Sequence, residues 1–372
     1  MLVFARTALL IVTLLVSSAA SAAGDEPGRG CLYGTVTTGD GLALTGFLRT
    51  DSDDAFWDDV FRTSRKVSPW VDHIDEEALA RQRRAAYFSE HGLVDRIAYV
   101  LSGDDRKGME NREFLCRYGQ IARIVLADNE ATVETTDGVR HVCRRRGADL
   151  RGDLTVVGAD STAVDWDDVR EVIFAQAPPG ASPPWRRLSG IVTTSAGSLQ
   201  GFIQWDRSEC TSDGILDGEQ DREEFDVPMG DIAAIAKDRD GSRVTLRDGR
   251  SLHLTGTNDV NADNRGVAVE VAGRGRVTVP WTRFERVDFA APGPSGPGRE
   301  AYAPGRELAA VIAVAGGDTV RGRVVWDLDE GWTWDIFNGD GEGDDYEIPF
   351  ELLATITRTD RGCRLVLRSG AK

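Results

Sequence analysis

"GTVTTGDGLALTGFLRTD", residues 34–51, is matched by "GIVTTSAGSLQGFIQWD" at 190–206 and, more loosely, by "AVIAVAGGDTVRGRVVWD" at 310–327. In each stretch β-branched, apolar and polar residues alternate around a Gly-containing turn. A glycine (Gly46, Gly201, Gly322) precedes the apolar centre of the second half. Alternation with a period of two turns one face of an extended chain toward a core, and two such runs around a tight turn make a hairpin. The three stretches read as hairpins of one kind.

A second block recurs downstream of each hairpin. "FDVPMGDIAAI" at 225–235 matches "YEIPFELLATI" at 346–356 and, more distantly, "FLCRYGQIARI" at 114–124. Each is followed by a further strand: "SRVTLRDG" at 242–249, "CRLVLRSG" at 363–370 and "ATVETTDG" at 131–138. Two module ends also agree, Trp166-x-x-Val169-x-x-Val172-x-Phe174 and Trp281-x-x-Phe284-x-x-Val287-x-Phe289. Several spacings agreeing at once identify an internal repeat. The Pro/Gly/Ser-rich stretches 176–185 and 291–305 read as flexible linkers. The modules are therefore 31–175, 186–290 and 306–372. The third is expected to be a first half only, because "RLVLRSGAK" (364–372) aligns with "RVTLRDGRS" of the second, which runs on to Phe289. Strand edges left unpaired by a half-module predict self-association by strand addition, or poor order beyond about Asp360.

Short alternating strands with Gly and Asp at the turns predict an all-β fold: tandem small β-barrel or roll modules, SH3-like or Sm-like in style. An insertion at about 62–113 enlarges the first module, and helical spacing of Leu93, Ile97, Val100 and Leu101 predicts a short helical pair there.

Residues 1–22 have the pattern of a signal peptide: Arg6, an apolar run over 8–16, and the small residues Ala20-Ser21-Ala22. That predicts export to the periplasm or beyond. Cys31 follows Gly-Arg-Gly, which does not resemble a lipid-attachment site, and no run reaches the length of a membrane-spanning helix. A formal net charge of −17 repels phosphate backbones and anionic headgroups, which argues against nucleic-acid partners and membrane insertion. Of the five cysteines, Cys116 and Cys143 form the one plausible pair within a module; both align with apolar positions, so buried thiols fit equally.

The candidate chemistry lies in carboxylates. Each module carries Asp-x-x-acid after its second strand: Asp51 with Asp54, Asp206 with Glu209, Asp327 with Glu330. Another acid precedes the second block: Glu113, Glu224, Asp345. If these converge, their oxygens suit a hard cation such as Ca²⁺. The third module is richest, and its candidate metal set is Asp327, Glu330, Asp340, Glu342, Asp344 and Asp345. The opposing view is that acids crowd solvated turns. "DVNADNRGVAVE" (259–270) places Asp259, Asn261, Asp263 and Glu270 as in a calcium loop, but Asn264 stands where that loop needs glycine, so ordinary turn chemistry fits better. Trp332 and Trp334 alternate in the same acidic stretch; an exposed face on one of them would stack on a sugar or peptide, but core packing is the better-fitting use.

The four histidines are scattered, and no nucleophile elbow, P-loop or dinucleotide motif occurs. The first expectation is thus a non-enzymatic exported repeat protein that binds or scaffolds a protein or glycan at the bacterial cell envelope, needing no cofactor. The alternative is a calcium-dependent carbohydrate- or peptide-binding protein, and the third an acid-pair hydrolase.

Overall fold

The computed structural model describes residues 11–14, 27–51, 53–65, 112–145, 147, 149–302, 304–314, 316–327, 329–360 and 362–370. The expected helical pair lies outside them, as does most of the signal-peptide pattern. The described residues are all-β, with no α-helix and no helix long and apolar enough to cross a membrane.

One strand, β1 (Ile11–Leu14), precedes the rest. Residues 31–175 hold β2 (Tyr33–Thr38), β3 (Ala43–Thr50), β4 (Val60–Arg65), β5 (Arg112–Arg117) and β6 (Ile121–Leu126). They continue with β7 (Glu130–Thr135), β8 (Arg140–Arg144), β9 (Asp153–Val157), β10 (Ser161–Asp165) and β11 (Val169–Phe174). Residues 186–290 hold β12 (Ser189–Thr194), β13 (Gly197–Gln204), β14 (Ile215–Gln220), β15 (Glu223–Pro228) and β16 (Ile232–Asp238). Then come β17 (Gly241–Leu246), β18 (Ser251–Leu254), β19 (Val267–Val271), β20 (Gly275–Val279) and β21 (Phe284–Phe289). The third segment holds β22 (Ala309–Ala313), β23 (Thr319–Arg323), β24 (Ile336–Gly341), β25 (Asp344–Pro349), β26 (Leu353–Thr359) and β27 (Gly362–Leu367).

Strand order follows the same course in the first two segments. The first runs β10-β9-β3-β2-β11-β6-β7-β8, and the second runs β20-β19-β13-β12-β21-β16-β17-β18. A 3-10 turn follows β5, β15 and β25 alike, burying Tyr118, Met229 and Phe350. Burial alternates along β2 and β7, as the period-two pattern requires.

The sheets are open; none closes on itself into a barrel. The physical reason is where the hairpins go. The β4–β5 hairpin adds to β8 of its own segment, whereas β24–β25 pairs with β20 of the second segment, Arg276 opposite Glu347. Among the described hairpins only β24–β25 thus extends a neighbour's sheet, while β14–β15 forms a two-stranded sheet of its own. The insertion springs from the β4–β5 hairpin. β27 is a strand over Gly362–Leu367, paired with β26.

Cross-strand glycines let these sheets form. Gly34 faces Gly46, and Gly190 faces Gly201. A Cβ on Gly34 would lie 2.4 Å from the Ile173 carbonyl, and one on Gly201 would lie 2.1 Å from that of Glu270. The third counterpart, Gly322, has open space, because β23 has no partner where β19 meets β13.

The linkers are docked, not free. Trp185 is fully buried among Phe47, Phe56 and Cys210, and Tyr302 packs into the first core against Gly119. The Ser295 hydroxyl accepts a hydrogen bond from the Gly30 amide at 2.9 Å. A smaller third core leaves a cavity of about 690 Å³ beside Phe337, Tyr346, Leu365 and Leu367.

The glycines give a paired test. Gly201→Val drives a side chain into β19 and should cost roughly 1–3 kcal/mol, by the scale of overpacking. Gly322→Val meets nothing and should stay within about 0.5 kcal/mol of wild type in the same urea titration.

Candidate functional site at the junction of the segments

The loop between β3 and β4 is built on one aspartate. Asp59 Oδ2 accepts hydrogen bonds from the amides of Ala55 and Phe56, both at 2.9 Å. Its Oδ1 faces two arginines of the second segment, Arg276 at 3.4 Å and Arg187 at 3.9 Å. Arg187 also meets Asp58 at 2.7 Å and lies over the rings of Phe56 and Phe202. All four charged groups are at most 6% exposed.

The third segment repeats the device. Asp335 Oδ2 accepts from the amides of Gly331 (2.8 Å) and Trp332 (2.9 Å), and its Oδ1 meets Arg65 of the first segment at 2.6 Å. Asp59 and Asp335 each stand directly before the first strand of their hairpin; the second segment has Gly214 there. Sequence comparison missed the pair, although an aspartate in two of three aligned loops was a visible signal. Further ion pairs join the segments: Arg62 with Glu347 at 2.7 Å, Arg117 with Glu270, and Arg49 with Asp213 at 2.9 Å.

Where these pairs meet, a polar pocket of about 150 Å³ opens between Asp54, Arg62 and Asp149 of the first segment and Gln204, Arg207 and Arg276 of the second. Burial and the charges of Asp59 and Asp149 push the Asp54 carboxyl well above its ordinary range. Burial pushes Asp149 up to about 6 against the pull of Arg62. Two acids beside three guanidinium groups can bind small polar ligands or hold protons; among the described residues there is no base poised to use them. Burial lowers His141 to about 4, and the thiols of Cys31, Cys116, Cys143 and Cys210 are buried, free and pushed up by desolvation.

The recurring Asp-x-x-acid sets turn out to be tight turns. Trp205 and Trp326 donate their amides to the carbonyls of Glu209 and Glu330, at 2.8 and 2.7 Å. Asp53, Asp206 and Asp327 adopt positive φ within them. The charges around Glu330 are Asp329, Asp335 and Asp327, and with burial they raise it to about 9. Asp340 and Asp345 face each other across the β24–β25 hairpin, Glu342 sits at its tip, and Asp344 meets Arg283 at 3.4 Å. The six residues of the candidate metal set thus lie in two places, and no group of three or more ligands suited to a metal occurs among the described residues. Asp206 is occupied by Arg265 and Asn258, and Glu270 by Arg117.

Trp334 is 1% exposed, stacked on half-buried Trp332 and packed against Phe114 and His141, and its Nε1–H donates to Asp137 Oδ2 at 3.0 Å. It anchors the third segment in the first core and leaves no face for a ligand. No protein-family model matches the sequence, and no curated protein or solved structure matches it.

Two measurements follow. Arg187→Met strands Asp58 and Asp59 in the interior and should cost about 3–5 kcal/mol in denaturant titration, whereas Arg49→Ala, on a half-exposed pair, should cost at most about 1 kcal/mol. The second concerns pH. Burial, with Asp259 and Asp206 nearby, raises Glu209 from 4.5 to about 8. The native state therefore holds a proton that the unfolded chain releases. This contribution is complete below pH 4.5 and is lost as pH rises through about 8. Glu209→Gln should flatten that fall in melting temperature.

Proposed function

We propose that this chain is an exported, non-enzymatic binding or scaffolding protein of the bacterial cell envelope, made of tandem small β-modules in SH3-like or Sm-like style. The observation that carries this reading is the junction. Its buried carboxylates and guanidinium groups are committed to one another across segment boundaries, so they serve to fix the segments together. What remains available to a partner is backbone edge and acidic surface. A protein or glycan partner fits that surface, whereas nucleic acid is repelled by the charge. Screening residues 23–372 on glycan and peptide arrays, beside a glycosidase and protease panel, should give binding without turnover. Turnover that is lost in Asp54→Asn would instead support the acid-pair hydrolase, with Asp54 and Asp149 as the pair.

The calcium-dependent alternative has less support. Asp327, Asp329 and Asp335 lie near Glu330, but Asp335 is taken by Arg65 and two amides, and no group of three or more metal ligands occurs among the described residues. Calorimetric titration with Ca²⁺ tests it: binding heat and a raised melting temperature support it, and the absence of both removes it.

A further inference from the structure

In the first segment β11 lies between β2 and β6, and in the second β21 lies between β12 and β16. Each is the last strand of its segment and is antiparallel to both neighbours. Each places a valine at the same crossing. Val172 stands opposite Val36 and Ile124, and Val287 stands opposite Val192 and Ile235.

In the third segment the corresponding crossing lies between Ile312 of β22 and Ile356 of β26. Val12 of β1 occupies it, again antiparallel to both neighbours. The register continues two residues on: Phe174 faces Gly34, Phe289 faces Gly190, and Leu14 faces Ala310. Three strands far apart in the chain thus share one pattern in one register: Val172-Ile173-Phe174, Val287-Asp288-Phe289 and Val12-Thr13-Leu14.

We propose that the third segment is a β-strand acceptor. Its slot between Ala309–Ala313 and Leu353–Thr359 takes an extended Val-x-Phe/Leu strand, and Ile11–Leu14 is the occupant in the full-length chain. A gap one strand wide presents two rows of backbone donors and acceptors that need partners. A strand antiparallel to both sides satisfies them, with main-chain bonds giving affinity and alternate side-chain positions giving selectivity. The floor of the slot is already apolar, with Leu308, Ala310, Phe350, Leu353 and Ile356 buried beneath it. The occupant falls within the stretch that reads as an export leader. Cleavage after residue 22 would remove β1 and open the slot. The inference rests on the scaffolding reading only for its biological use, naming an extended strand as the class of partner.

Hydrogen exchange read by mass spectrometry tests it on the full chain and on a chain starting at residue 23. The shortened chain should exchange about tenfold faster or more over 309–313 and 353–359, with 189–194 and 232–238 unchanged as internal reference. A soluble peptide spanning residues 282–291 should restore protection at the first two stretches, and the same peptide with Val287→Asp should not. Val12→Pro in the full chain removes one ladder donor without shortening it and should speed exchange at the same two strands alone. Equal protection in full, shortened and Val12→Pro chains overturns the assignment of Ile11–Leu14. A peptide that restores nothing, or restores equally with Val287→Asp, overturns the acceptor slot. Empty glycan and peptide arrays would count against the scaffolding reading and leave these outcomes unchanged.

Discussion

The structure depends on a carboxylate that divides its two oxygens between two tasks. One oxygen of Asp59 holds the amides of its own loop, and the other faces Arg187 and Arg276 from the next segment. The division matters energetically. A buried ion pair repays its desolvation only when the remaining lone pairs and protons are also satisfied. Capping the loop satisfies Oδ2, and the arginines satisfy Oδ1. Arg187 is further supported by two aromatic faces, which accept the flat guanidinium where they could not accept a hydrated ammonium. Asp335 with Arg65 applies the same arrangement to the opposite end of the chain.

That arrangement also accounts for the charged residues of an acidic protein. Many of its carboxylates repel solvent-borne anions in the ordinary way, but several buried or half-buried ones pair across segment boundaries. Glu347 serves Arg62, Glu270 serves Arg117, and Asp344 serves Arg283. Each pair crosses a segment boundary. The linkers therefore have little independent motion to provide, and their aromatic residues Trp185 and Tyr302 are packed away with the cores.

Much of this fold was legible in the sequence because period-two alternation and paired glycines are local signals. The hairpin at 34–51 and its two counterparts became β2–β3, β12–β13 and β22–β23. The acids were legible as a recurrence, but their meaning was not. Asp206 and Asp327 recur because a positive-φ turn recurs, with Asp53 rather than Asp51 in that conformation in the first segment, and spacing alone cannot separate a turn from a ligand loop. The place of Trp334 was legible only as a choice between core and surface, because its surroundings come from residues 114, 137 and 141, far away in sequence. Asp59 recurs as Asp335, but its role was not legible because its partners lie over a hundred positions downstream, and the open sheets were not legible because no local pattern says which edge a hairpin will join.

The burial of Trp334 and Tyr302 in the first core has a temporal side. A core that needs residues 302 and 334 beside Phe114 and Gly119 is not assembled when the first segment leaves the ribosome. The second segment draws its core from its own residues and can collapse at once. The middle of the chain is then positioned to become native before the beginning, which waits, partly open, for its last side chains to arrive.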